Sequence, residues 1–222
     1  MRTNTADRWV GITAWVVAWI GLVLAPIHAL SRFATTAGSG DLDSAVVRAW
    51  AVPAARALRP LLTWSDADTV YVAYGRIWLP LLLVATVCAV VVRRRRDPRG
   101  TERWAWWITL IGYAIATVSV VGDYFTPWMD RSFAFVGIPG ILTSVLGSTV
   151  LGVALLRRGF RPRATAWLLA LWLPVFFLLS ALIAMGAALL PMLWAWGLAG
   201  RSLWAPASLP PAPVPSDRAT TR

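Results

Sequence analysis

Residues 72–96 read VAYGRIWLPLLLVATVCAVVVRRRR. The stretch 72–92 carries one charge, Arg76, close to its start, and four consecutive arginines follow it. A helix that crosses a bilayer needs about 20 mostly apolar residues, at about 1.5 Å each against a hydrocarbon core about 30 Å thick. An apolar run of this length ending in an arginine block reads as one crossing and the water-filled boundary where it ends.

Four more runs of the same kind lie around it. Residues 9–30, 104–122 and 133–156 each have the length of one span. Residues 166–200 are too long, since they would reach about 52 Å as a single helix. Pro191 is read as the break, leaving one span and a short interfacial helix at 193–198, with a sixth full span as the alternative. The first run is too long for a signal-peptide core of about 7–15 residues. Its small residues Gly11, Ala14, Ala18, Gly21 and Ala25 also recur on one helical face as a packing seam. The expected fold is an all-α transmembrane bundle of five spans or six, covering 9–200. A tail at 1–8 precedes it and a Pro/Ala-rich disordered tail at 201–222 follows.

Composition agrees. Of 222 residues, 58% are hydrophobic and 14% charged, against about 25% charged in soluble chains. Mean hydropathy is +0.64. The net charge of +11 arises from 21 basic residues, all arginine. They sit beside the apolar runs, so membrane topology explains them and a nucleic-acid partner is not expected. The dependence on arginine, alanine, glycine and proline, whose codons are GC-rich, points to a bacterial inner membrane.

Arginine also sets the expected orientation. The loop 93–103 holds six and the loop 157–163 four, so both are read as cytoplasmic. Asp41, Asp43, Asp66, Asp68, Asp123, Asp130 and Asp217 fall on the other side. The N-terminus is then inside and the C-terminus outside, with Gly100 and Gly159 inside and Gly40 and Ser216 outside. Arg93, Arg94, Arg95 and Arg96 are candidates for anionic lipid. Nine of the fifteen tryptophans (9, 64, 104, 106, 107, 128, 167, 194 and 196) fall near span ends, where an indole keeps its ring apolar and its N–H wet.

The outer loop 31–71 begins with small polar residues. An amphipathic helix follows from Asp43 or Ser44 to Leu62, with Pro53 as a kink. It is read as lying on the outer membrane surface, either as a connector or as a lid. Ser65 and Asp68 are spaced as a capping box for the second span.

Little in the chain resembles catalytic machinery. One cysteine, Cys88, excludes an internal disulfide, and one histidine, His28, excludes a multi-histidine metal site, so no metal or cofactor is expected. No charge lies at the middle of any predicted span, which argues against a proton pump or voltage sensor. The candidate site is a polar cluster at the outer level: His28, Arg32, Arg76 and Asp123. Asp123 ends a helix, where the dipole disfavours an anion, so pairing with one of the three cations is expected. Gly140, Ser144, Ser148 and Gly152 repeat every four residues as a helix-packing stripe.

Three functions remain open. The leading one is a structural or accessory component packing with itself or with another membrane protein. The second is a carrier or binder of a lipid or amphipathic molecule entered from the outer leaflet. The third is a membrane-embedded enzyme using His28 and Asp123. An outward cavity reaching His28 favours the last two, and a closed outer surface favours the first.

Overall fold

The computed structural model describes residues 5–183 and 185–204. Among them there is no strand. The helices in chain order are α1 (Thr5–Phe33), α2 (Ala45–Ala57), α3 (Arg59–Leu62), α4 (Ala67–Arg96), α5 (Thr101–Phe125), α6 (Met129–Ser132), α7 (Ile138–Arg157), α8 (Arg163–Ala170), α9 (Trp172–Leu182) and α10 (Leu190–Trp204). Helices α1, α4, α5 and the unit Met129–Arg157 are each long and apolar enough to cross a membrane. Helices α8 and α9 meet at a 64° bend and are long and apolar enough only when taken together, which makes four spans, or five with the bent pair as one. The chain is a multi-pass membrane protein with an all-α bundle.

One end of the bundle is rich in arginine. There Arg95 reaches back to Asp7 at 2.6 Å, tying the end of α4 to the start of α1. Glu102, in the first turn of α5, is 1% exposed and pairs with both Arg96 of α4 and Arg158 beyond α7. Its Oε1 also accepts from Trp106 Nε1 at 3.2 Å. The block of four arginines is therefore partly committed to the fold. Arg93 lies over the Trp107 ring, 4.5 Å from its centroid, and Arg94 alone of the four has neither an ion pair nor an aromatic partner among the described residues.

The other end carries the loops. Ser44 caps α2 by accepting from Val47 N, as a helix N-cap should. Helix α2 runs through Pro53 and ends at Ala57, so the break in the amphipathic segment falls at Leu58 and not at the proline. Val47 and Ala51 pack on Leu30 and Phe33 of α1, and Trp50 Nε1 donates to the Leu182 carbonyl at the end of α9. Helix α4 is capped by Asp66, whose Oδ1 accepts from Thr69 N at 2.9 Å, in place of the expected Ser65. The Thr69 hydroxyl and N–H hold the Asp66 carboxyl below its ordinary range.

Lipid tails are as apolar as leucine, so close contact between spans has to come from small side chains. Gly140 and Ser144 lie against α5, where Gly112 meets the Ser144 backbone and Gly140 the Ala116 backbone. Ser148 is fully buried and exchanges a 2.8 Å hydrogen bond with Tyr113 Oη. Gly152 lies against Leu169 and Ala170 of α8.

The α1 seam has a partner that the sequence reading did not place. Gly11 abuts Gly200, Ala14 and Ala18 abut Gly197, and Gly21 faces Leu193. The pairing order makes α10 antiparallel to α1. Thus 190–204 is not a short interfacial helix. It is a buried helix whose Met192, Ala195, Trp196 and Ala199 are at most 1% exposed. Pro191 sits in its first turn, where a missing N–H costs nothing, and so starts the helix. With the 310 turn Met185–Leu189 before it, α10 returns the chain to the arginine-rich end. The two chain ends were expected on opposite faces. Residue 204 instead lies on the same face as the start of α1, and the tail 205–222 with Ser216 and Asp217 lies outside the described residues.

Tryptophan divides into two populations. Trp9, Trp64, Trp104, Trp128 and Trp167 are more than half exposed, as an interfacial belt requires. Trp106 and Trp196, expected in that belt, are fully buried and pack on each other at 5.5 Å. Their N–H groups find Glu102 and Tyr113, which is what allows an indole to leave the interface.

Candidate functional site

Three helix ends converge at the loop face. The last turns of α1 deliver His28 and Arg32, the first turns of α4 deliver Tyr71 and Trp78, and the last turn of α5 delivers Asp123 and Tyr124. Gly75 permits the convergence. A Cβ there would fall within the Tyr124 ring, so only glycine lets Tyr124 lie across α4 toward His28.

His28 is the centre of a short relay. Trp78 Nε1 donates to His28 Nδ1 at 3.1 Å, His28 Nε2 lies 3.3 Å from Tyr124 Oη, and Tyr124 Oη lies 3.2 Å from Tyr71 Oη. An indole N–H only donates, so Nδ1 is the unprotonated nitrogen and Nε2 bears the hydrogen. The His28 N–H then donates to Tyr124, and the Tyr124 hydroxyl is free to donate to Tyr71. The Tyr71 ring stacks on the imidazole at 4.9 Å with 8° between planes. Both ring nitrogens are occupied, which leaves His28 no lone pair with which to take a proton from a substrate.

The charged members of the candidate cluster are placed differently from the expectation. Arg32 Nε donates to Asp41 Oδ2 at 3.0 Å. Arg76 Nε donates to the Tyr124 carbonyl at 2.9 Å, and its guanidinium lies 5.3 Å from the Phe125 ring centre. Asp123 is 7% exposed and pairs with none of them. Its Oδ2 accepts from Ser119 Oγ at 3.0 Å, and its Oδ1 is buried with no hydrogen-bond partner. The reason is local. The loop supplies its own carboxylate to Arg32, and Arg76 satisfies a backbone carbonyl left open at the end of α5.

Above and beside these residues lies a cavity of about 530 Å³. Its mouth is formed by Gly40, Asp41 and Ser44 of the long loop and by Met129 and Asp130. His28, Arg32, Tyr71, Asp123 and Tyr124 line the level below. The remaining walls are mostly apolar, with Leu82, Val120, Ile141, Phe176 and Leu189, and Ser119 and Ser180 add two hydroxyls. From Tyr71 to Leu82 is eleven residues of helix, about 16 Å of depth and half a bilayer core. Sequence reading found His28, Arg32 and Asp123 but not Tyr71, Trp78 and Tyr124 as wall residues. The available signal was Trp78, an indole well inside a span whose N–H demands a partner.

No protein-family model, characterised protein or solved structure matches the chain.

Proposed function

We propose that the protein binds an amphipathic molecule, such as a lipid, in the cavity at its loop face. The observation that carries this reading is the two-part lining, polar at the mouth and apolar about 16 Å down. A site for a small polar substrate would not need the apolar wall, and a purely apolar guest would set hydrocarbon against Arg32, Asp41 and Asp130 at the mouth. The arginine-rich end faces the cytoplasm of a bacterial inner membrane on this reading, so the cavity opens outward.

The structural or accessory role loses its main support. The small-residue seams of α1 and α7 are occupied within the chain, by α10, α5 and α8. An acid–base enzyme fares no better, since His28 and Asp123 do not touch and both imidazole nitrogens are engaged.

Two tests follow. Protein purified in mild detergent is expected to carry an amphiphile that solvent extraction and mass spectrometry detect. Ala181→Trp, which sets an indole into the cavity wall from an exposed position, is expected to remove most of it with the melting temperature little changed. Retention of the same amphiphile at the same stoichiometry would place it elsewhere. For orientation, single cysteines are introduced in a Cys88→Ala background. Gly40→Cys is expected to react with an impermeant thiol reagent in intact cells, and Thr101→Cys only after lysis. The reverse pattern would put the cavity on the cytoplasmic side.

A further inference from the structure

A second cavity, of about 240 Å³, opens at the loop face beside the first, and Phe33 lines both. Leu30 of α1, Ala51, Val52 and Ala55 of α2 and Leu62 of α3 make the rest of its apolar wall. Two polar side chains join them. The Thr63 hydroxyl already donates to the Arg59 carbonyl. The Arg59 guanidinium has no hydrogen bond, ion pair or aromatic partner among the described residues, and no acid lines the cavity. Arg48, on the same amphipathic segment, is by contrast committed to the Leu42 and Asp43 carbonyls. The site is open, since Arg59 is exposed and Val52 is 37% exposed. Trp64, directly after Thr63, is 53% exposed, and exposed indoles collect at headgroup level.

We infer that this second cavity holds part of one acyl chain of an anionic phospholipid, whose phosphate is met by Arg59 outside it. The volume falls below the roughly 300–1,000 Å³ that encloses a whole small molecule, so the headgroup stays at the surface. The apolar wall selects a chain, and a free cation with no carboxylate beside it selects a negative head. A zwitterionic head would bring its own cation against Arg59. A soluble phosphate would leave the apolar wall wet. This site is separate from the guest of the larger cavity.

The test reads the cavity itself. Val52→Cys is made in the full chain in a Cys88→Ala background and labelled in neutral detergent with an uncharged thiol reagent. Dioleoylphosphatidylglycerol is expected to protect position 52 at about fivefold lower concentration than dioleoylphosphatidylcholine, the effect of one arginine near a charged lipid surface. Glycerol phosphate should not protect. Adding Arg59→Gln, a change at an exposed position, should make the two lipids equal while protection by either remains. Adding Ala181→Trp, in the larger cavity, should leave the fivefold difference unchanged. Equal protection by the two lipids with Arg59 present would overturn the inference, as would a difference that survives Arg59→Gln. Protection by glycerol phosphate would reduce the site to one for phosphate alone, and protection lost with Ala181→Trp would place the lipid in the larger cavity. Either result, or no protection by any of the three, would also overturn it.

Discussion

Glu102→Gln is expected to lower the unfolding free energy by about 3 kcal/mol, the lower end of what breaking a buried ion pair costs. Glu102 is 1% exposed and is the only carboxylate facing Arg96 and Arg158 among the described residues. It joins α4, α5 and the end of α7 at a single point. Glutamine keeps the acceptor for Trp106 and loses the charge, so Arg96, only about one-fifth exposed, is left facing a neutral amide. The lower end of the range applies because Arg158 is nearly half exposed and water takes over its solvation. The control adds Arg96→Met to Glu102→Gln. It removes the stranded charge while the glutamine still accepts from Trp106, and most of the loss should return. Thermal unfolding in detergent reads both. A melting temperature for Glu102→Gln equal to that of the native chain would show that the cluster contributes nothing to stability.

Gly200→Leu is expected to be similarly damaging, at about 3 kcal/mol, the upper part of the overpacking range. A Cβ at 200 would lie 2.9 Å from the Gly11 carbonyl oxygen and 3.1 Å from its Cα. Both are backbone atoms of α1, so neither can rotate aside. A leucine there would push α10 off α1 along the whole seam, exposing Trp196 and its bond to Tyr113. Gly40→Leu is the matched control, because nothing lies within 4 Å of a Cβ at that position. If Gly200→Leu melts where Gly40→Leu does, the antiparallel packing of α1 on α10 is not present in solution.

The contrast between those two helices shows what was readable from the residues. The spans were legible because hydropathy, arginine blocks and small-residue spacing each carry a period or a boundary that survives without tertiary context. The seam on α1 was also legible, but its partner was not. Pro191 reads equally as a helix break or as a first-turn residue, and only packing decides between them. Trp106 and Trp196 were misplaced for a related reason. A tryptophan near a span end belongs to the belt unless a buried acceptor lies within reach; Tyr113 is distant in sequence from Trp196, and Glu102, one turn before Trp106, is a buried acceptor only because the arginines of other helices close over it. Within the site, position along the helix brought His28, Arg32 and Asp123 to one level. Pairing depended on the loop, because Asp41 competes for Arg32 and its approach is set by how residues 34–44 fold back. Glu102 itself looked like an ordinary first-turn acid, favourable to the helix dipole and needing no further cause.

The Trp78–His28–Tyr124 relay also makes the molecule its own instrument. The chain has a single histidine, and that residue lines the cavity. Labelling the natural chain with ¹⁵N-histidine therefore gives a nuclear magnetic resonance spectrum in which every imidazole signal comes from one place and no assignment is required. The bonding pattern specifies a pyridine-type Nδ1 and a pyrrole-type Nε2 bearing the proton. A guest that displaces Tyr71 or Tyr124 changes the ring stacked on that imidazole, or the acceptor of its N–H, and so shifts the resonances. Occupancy could then be followed in a membrane without a chromophore or a reporter group, whatever the chemistry of the guest.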